Sequence, residues 1–357
     1  MHPELIKLPF VDVTVKSYGL MMVVGFLAAV TVIRLLSRRF TRDPQHITNA
    51  ALYSLIAGVV GARVFFVIHY FEQFRDDPLG VFAIWRGGLE LLGGVLLAIA
   101  VILLYIKYHK LPLRHYLDTL AVGLMMALVF GRVGCFLNGC CYGKPTDLPW
   151  GIRFPYGSFA YRSQVEPDLE RGRSEPHLHL PDDYFGYQDE DLVYTPDLKP
   201  WELLTPEQRE AVRTGPYRCL RVHPTQLYTS AAAGLCCLIL YGVWRRSQKA
   251  EEAGRYGFLT KPGSVFSLMF VLYGVMRFTM ELLRDDNPYE IGTLTVSQLI
   301  GIALVVLGAG LLVFYTRARP ETLRATEPAA KPSSPAVPSS KRNNRARRAK
   351  PGKRSRN

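Results

Sequence analysis

The chain has 357 residues, 49% of them hydrophobic and only 20% charged, with 43 Lys and Arg against 30 Asp and Glu. Several uncharged runs reach the length of about 20 residues that crosses a bilayer core, which excludes an ordinary soluble enzyme, and six Cys spread over this length exclude a dense disulfide scaffold. The net charge of +13 does not argue for nucleic acid, because the last 37 residues, Glu321 to Asn357, supply +9 of it with eleven Lys/Arg and two Glu.

Seven apolar segments run in chain order through 18–37, 47–71, 87–108, 115–137, 224–244, 263–283 and 293–316, and predict an all-α polytopic membrane domain over 1–316. The first is rich in Gly and Tyr and is followed at once by Arg38, Arg39 and Arg42, so it reads as a retained spanning helix and not a cleaved signal. Short connections after the first, third and fifth segments are the basic ones, which predicts an external N-terminus and a cytoplasmic C-terminus. The long segment 139–222 is then external. It includes an acidic insertion at about 156–220, where residues 166–210 hold thirteen Asp/Glu, four Lys/Arg and six prolines. That composition reads as a solvated decoration, and His177 with His179 is too thin for a metal site. The tail 317–357, with nine basic residues between Lys341 and Arg356 among Pro, Ser and Ala, is expected to be disordered and to meet anionic lipid headgroups.

An ionised side chain in hydrocarbon is costly unless it faces a partner or a cavity, so the charges inside these segments are candidate site residues. Arg63 lies mid-way through the second segment, flanked by Gly58 and Gly61. The fourth ends in a run from Gly131 to Gly143 that holds four Gly with Arg132 and Asn138. Backbone N–H groups and a planar guanidinium in such a run can converge on an oxyanion, with glycine allowing close approach. In the sixth segment Tyr273, Arg277, Glu281 and Arg284 recur at i, i+4, i+8 and i+11, which a continuous helix would gather into one polar stripe. The fifth opens with His223-Pro224-Thr225-Gln226-Leu227-Tyr228, with Pro224 placed for a first helical turn. The adjacent pairs Cys140-Cys141 and Cys236-Cys237 lack the two-residue spacer of common redox and zinc motifs and are read as without metal or redox chemistry; Cys236 and Cys237, inside a spanning segment, read as small apolar residues.

Taken together, these motifs resemble the prolipoprotein diacylglyceryl transferase family over residues 17–316 or so. The resemblance rests on Gly131-Arg132-x-Gly134-x-Phe136-x-Asn138-Gly139 through Gly143 and Pro145-Thr146, with Pro149-Trp150-Gly151 to Pro155 beyond it. Tyr18-Gly19-Leu20, Gly61-Ala62-Arg63, the pairs Gly87-Gly88 and Gly93-Gly94, the His223 motif and the Tyr273 to Arg284 stripe support it. It implies transfer of the diacylglyceryl group of phosphatidylglycerol to the lipobox cysteine of a prolipoprotein signal peptide, in the bacterial cytoplasmic membrane with the site toward the outer face. Arg132 and Arg277 would stabilise the leaving phosphate. Tyr18, Arg63, Asn138, Gly143, Gln226, Tyr228, Tyr273, Glu281 and Arg284 would bind or orient the headgroup. No metal or organic cofactor is implied, since the phosphodiester is already an activated leaving group.

Two positions depart from the family pattern. Leu92 stands where the family commonly carries a His suggested as thiol base, with Glu90 two residues earlier, and Thr229 stands where an acid usually follows the His-Pro motif. His223, whose imidazole type accepts protons near neutral pH, is therefore expected to serve as the base. A transporter or a phosphatidylglycerol-binding relative without activity is the alternative expectation.

Overall fold

The computed structural model describes residues 4–7, 14–41, 43–75, 78–83, 87–88, 90–188, 194–289 and 292–321. The chain begins with a hairpin of β1 (Glu4–Lys7) and β2 (Thr14–Lys16), which runs directly into helix α1 (Ser17–Ser37). Next come α2 (Gln45–His69), α3 (Leu91–Tyr108) and α4 (Leu113–Asn138). Two short helices, α5 (Phe159–Val165) and α6 (Pro206–Arg213), flank a hairpin of β3 (Phe185–Gln188) and β4 (Tyr194–Leu198). The fold is completed by α7 (Thr225–Glu252), α8 (Ser264–Glu281) and α9 (Val296–Arg317). Seven of these helices, all but α5 and α6, are long and apolar enough to cross a membrane, and they match the seven apolar segments to within a few residues at most boundaries. The tail beyond residue 321 lies outside the described residues.

The helices are held by two kinds of contact. A buried cluster of Leu36, Ala121, Val122, Met125, Leu240, Trp244, Val265 and Met269 joins α1, α4, α7 and α8, and Cys236 and Cys237 pack within it as small apolar residues. Elsewhere small residues let backbones approach, the usual way that membrane helices gain contact when lipid competes for every apolar side chain. A Cβ on Gly61 would sit 2.5 Å from the Gly93 carbonyl oxygen, which closes α2 onto α3, and one on Gly274 would sit 2.5 Å from the Gly301 carbonyl oxygen, which closes α8 onto α9. Large apolar side chains such as Leu27, Ile56, Leu104 and Val306 remain exposed on the outer faces, as lipid-facing positions do.

The segment between α4 and α7 is not the solvated decoration expected from its composition. Tyr142, Phe154, Tyr161, Val165, Tyr184, Leu198, Val212 and Val222 form a buried cluster of their own. The Tyr161 hydroxyl donates to the Tyr217 carbonyl at 2.7 Å, and burial pushes its pKa upward. Acidic residues dominate the composition because they coat a small packed head whose aromatic core is spread thinly along the sequence.

Candidate active site

Antiparallel succession places the C-terminal ends of α2, α4 and α8 and the N-terminal ends of α1, α3, α7 and α9 on one side of the bundle. The motif residues gather there. Helix α4 ends where Gly139 adopts a left-handed φ of 76°, and the chain doubles back so that the Cys140 N–H donates to the Cys135 carbonyl at 3.2 Å. The start of α7 pins this return: the Thr225 hydroxyl donates to the Cys141 carbonyl at 2.7 Å, and the Gln226 amide to the Cys140 carbonyl at 2.8 Å. Gly143 and Lys144 then thread between two other motifs. The Gly143 N–H donates to the His223 carbonyl at 3.1 Å, the Lys144 N–H to the Leu283 carbonyl at 2.9 Å, and the His223 N–H to the Lys144 carbonyl at 3.1 Å. A Cβ on Gly143 would lie 2.6 Å from the His223 Cβ and 2.8 Å from the Leu283 carbonyl oxygen, so only glycine fits. Its N–H is used in assembling the site.

Glu281 is the hub of the α8 end. Its side chain is 2% exposed as a residue, accepts from Asn287 and, at 3.1 Å, from the Thr295 hydroxyl, and faces Arg277 at 3.7 Å and Arg284 at 3.9 Å. Arg277 also donates to the Ser297 hydroxyl. The polar stripe does not run along one helix as expected, because α8 stops at Glu281 and Arg284 sits beyond it, in a bridge to Gly143. Arg284 is committed as well: its Nε and Nη2 donate to the two carboxylate oxygens of Asp286 at 2.8 and 2.7 Å. Burial opposes the charge on Arg284, but the Asp286 hydrogen bonds outweigh it and hold its pKa above the ordinary arginine value. Asp286 was not among the expected site residues. An acid two positions after an arginine carries no periodic signal.

Arg63 is engaged with the protein's own backbone. The guanidinium is buried, and donates from Nε to Val81 (2.8 Å), from Nη1 to Gly87 and Gly88 (2.7 and 2.9 Å), and from Nη2 to Gly80 (2.6 Å), all at backbone carbonyls. With four donations made to the α2–α3 connection, it holds that connection in place. The same connection brings together two groups that share no sequence motif: His69, the last residue of α2, has its Nδ1 3.3 Å from a Glu90 carboxylate oxygen. Glu90 is the extended N-cap of α3, with φ −99° and ψ 118°, so the turn before Leu92 is not helical.

Among the described motif residues, Arg132 keeps a donor without a partner. Its Nε is buried without a hydrogen-bond partner, and so are Nδ1 of His223 and Oε1 of Gln226. Tyr18, at the start of α1, is close enough to Arg132, Cys135, Cys140 and Cys141 to interact with them electrostatically. Tyr228 accepts from the Trp150 indole N–H at 2.7 Å, with its ring 6.1 Å from that of His223. Asn138 lines a cavity of about 470 Å³ with Leu137, Phe154, Phe159 and Arg162. Tyr273 lies half-buried on α8, within electrostatic reach of Arg277. Hydrogen bonds from the Cys135 and Cys140 thiols draw the Cys141 thiol below its ordinary range against the effect of burial, with the charges of Arg284 and Arg132 adding to the shift.

The sequence model of the prolipoprotein diacylglyceryl transferase family matches residues 3–314. The chain belongs to this family. It is 28% identical over 308 residues to the phosphatidylglycerol–prolipoprotein diacylglyceryl transferase of Clostridium tetani, covering 86% of this chain and 95% of the relative. The enzyme of that name from Chloroflexus aggregans is 28% identical over 336 residues, covering 91% and 92%, and that of Rhodopirellula baltica is 27% identical over 364 residues, covering 87% and 73%. Membership fits a polytopic helical protein whose motifs meet at one end of the bundle.

Proposed function

We propose that this chain moves the diacylglyceryl group of phosphatidylglycerol onto the lipobox cysteine thiol of a prolipoprotein, forming a thioether and releasing glycerol phosphate. The observation that carries the reading is the buried, unpartnered Arg132 Nε beside a return loop pinned by Thr225 and Gln226. A buried donor left unmade costs about 1–3 kcal/mol, a cost that a phosphate oxygen would remove. As the glyceryl carbon–oxygen bond breaks, negative charge grows on the departing phosphate, and fixed guanidinium donors in a water-poor site stabilise that charge more than the ground state. Arg132 is the direct clamp. Arg277, fixed by Glu281 and Ser297, adds a second positive charge, and Arg284 keeps the Gly143 strand in place.

Tyr18, Asn138 and Tyr273 border the headgroup, while Gln226 and Tyr228 position the elements around it. His223, with its free Nδ1, takes the proton of the incoming thiol. An apolar cavity of about 290 Å³ between α1, α2, α3 and α4, lined by Met22, Phe26, Ile33, Ile102 and Leu124, suits an acyl chain. The protein sits in the bacterial cytoplasmic membrane with this site toward the outer face, and the basic tail meets anionic lipids on the inner face.

The test is direct. Purified protein in detergent micelles containing phosphatidylglycerol is incubated with a lipobox peptide, and the peptide is weighed. A mass gain equal to one diacylglyceryl unit, absent when serine replaces the peptide cysteine, is expected. An unmodified peptide in the presence of folded protein would overturn the reading.

A further inference from the structure

The return loop after α4 places three thiols together. The Sγ atoms of Cys135, Cys140 and Cys141 all lie within 4.8 Å of one another, and among the described residues no other three Cys, His, Asp or Glu side chains meet so closely. Zinc binds thiolate sulfur at about 2.3 Å, so three sulfurs around one tetrahedral ion sit about 3.8 Å apart, within a small side-chain adjustment of the separations present. The backbone is arranged to bring this about. Cys141 adopts a left-handed φ of 59°, a conformation that costs a non-glycine residue about 1 kcal/mol or more and that must be held from outside. The Thr225 and Gln226 side chains hold it through the Cys141 and Cys140 carbonyls. Cys135 is buried, whereas Cys140 and Cys141 are half-buried, so an exogenous ligand can reach the group.

We propose that Cys135, Cys140 and Cys141 form a three-thiolate site for a soft divalent cation of the zinc class, with the fourth position open to an exogenous thiol. Three thiolates on a divalent ion leave one net negative charge. Arg132, one turn before Cys135 on α4, and Arg284, bridged to Gly143 two residues after Cys141, offset that charge. Three protein ligands with an open position is the arrangement of catalytic rather than structural zinc. The thiol that fits here is the acceptor cysteine, an assignment that rests on the transferase reading. In that step the acceptor S–H replaces a bound water and gives its proton to His223. The sulfur pair then forms the bond to the glyceryl carbon, while the carbon–oxygen bond breaks and its pair leaves on glycerol phosphate. The cation is neither oxidised nor reduced, and water returns to it.

Full-length protein, purified in detergent with its thiols reduced and stripped by a chelator, is titrated with Co²⁺ alone as a spectroscopic stand-in for zinc. About one equivalent should raise a near-ultraviolet thiolate-to-cobalt absorption band that Zn²⁺ then abolishes. Cys135→Ala, Cys140→Ala and Cys141→Ala should each weaken binding roughly tenfold or more, and the Cys236→Ala/Cys237→Ala double variant should bind normally. A wild-type measurement removes any dependence on variant folding: Zn²⁺ should protect the three thiols from maleimide, and chelator should restore their reactivity. A lipobox peptide should alter the cobalt band, and the same peptide with serine should not. Absence of the band in fully reduced wild type, or a band that survives all three substitutions, overturns the site; a band indifferent to the peptide thiol overturns the open position. None of these readouts measures transfer, so their failure leaves the transferase reading standing, and metal binding without transfer counts against that reading alone.

Discussion

Arg132 differs from the other motif arginines in what it lacks. Arg63, Arg277 and Arg284 each donate to groups of the protein, whereas the Arg132 Nε has no partner among the described residues. Arg132→Lys keeps the charge but loses the planar fork, and a lost charge-assisted hydrogen bond is worth about 1.5–3 kcal/mol, or roughly 10- to 100-fold in rate. Transfer by the variant in membranes should fall by that factor at unchanged protein level; activity within about twofold of wild type would remove Arg132 as the clamp. His223 is tested through pH. A peptide thiol of pKa about 8.5 is mostly protonated at pH 7 and mostly ionised at pH 9, so a base matters at the lower pH and little at the higher. His223→Gln should therefore slow transfer at pH 7 and recover part of the loss at pH 9. Normal turnover by His223→Gln with a defect in His69→Gln or Glu90→Gln would move the role to the pair that stands next to Leu92.

At the scale of elements, the decisive contacts are those that join one helix end to another. The α2–α3 connection depends on one guanidinium, because Arg63 supplies donors to four carbonyls that would otherwise be left short of partners beside a membrane helix. Arg63→Ala should destabilise the protein by about 3 kcal/mol or more while leaving activity per folded molecule within a few-fold of wild type. Thermal unfolding in detergent and transfer assays on the folded fraction separate the two effects; full stability with weakened phosphatidylglycerol binding would return Arg63 to the substrate. The opposite ends of the helices are tied in the same manner. Buried Asp118 on α4 accepts from the N–H groups of Gly263 and Phe266 at 2.8 and 2.9 Å and so caps α8. An acid in a membrane segment is here a helix cap rather than a substrate group.

For the whole molecule, topology decides which side of the membrane holds the site. The basic connections predict an external N-terminus and head, with the tail inside. A cysteine introduced at exposed Glu175 in the head should react with a membrane-impermeant maleimide in intact cells above the wild-type background, and one at exposed Lys110, at the opposite end of the bundle, should react only after lysis. The reverse pattern would invert the topology and put the site on the cytoplasmic side.

The spans were legible in the sequence because burial in lipid is a local demand: every helix must be apolar over its own length, whatever it packs against. The candidate site residues stood out for a related reason, since Arg132, Arg277 and Glu281 are polar groups where apolar ones belong. What those groups touch was not legible. Arg63 turned to four backbone carbonyls, Arg284 to Asp286, Gly143 to the backbone just before α7 and just after α8, and Cys135 to two cysteines across a left-handed turn. The acidic head concealed an aromatic core in the same way. A hydrogen bond or a shared ligand is set by distances of a few ångströms between residues far apart in the chain, and only the tertiary fold brings those distances about.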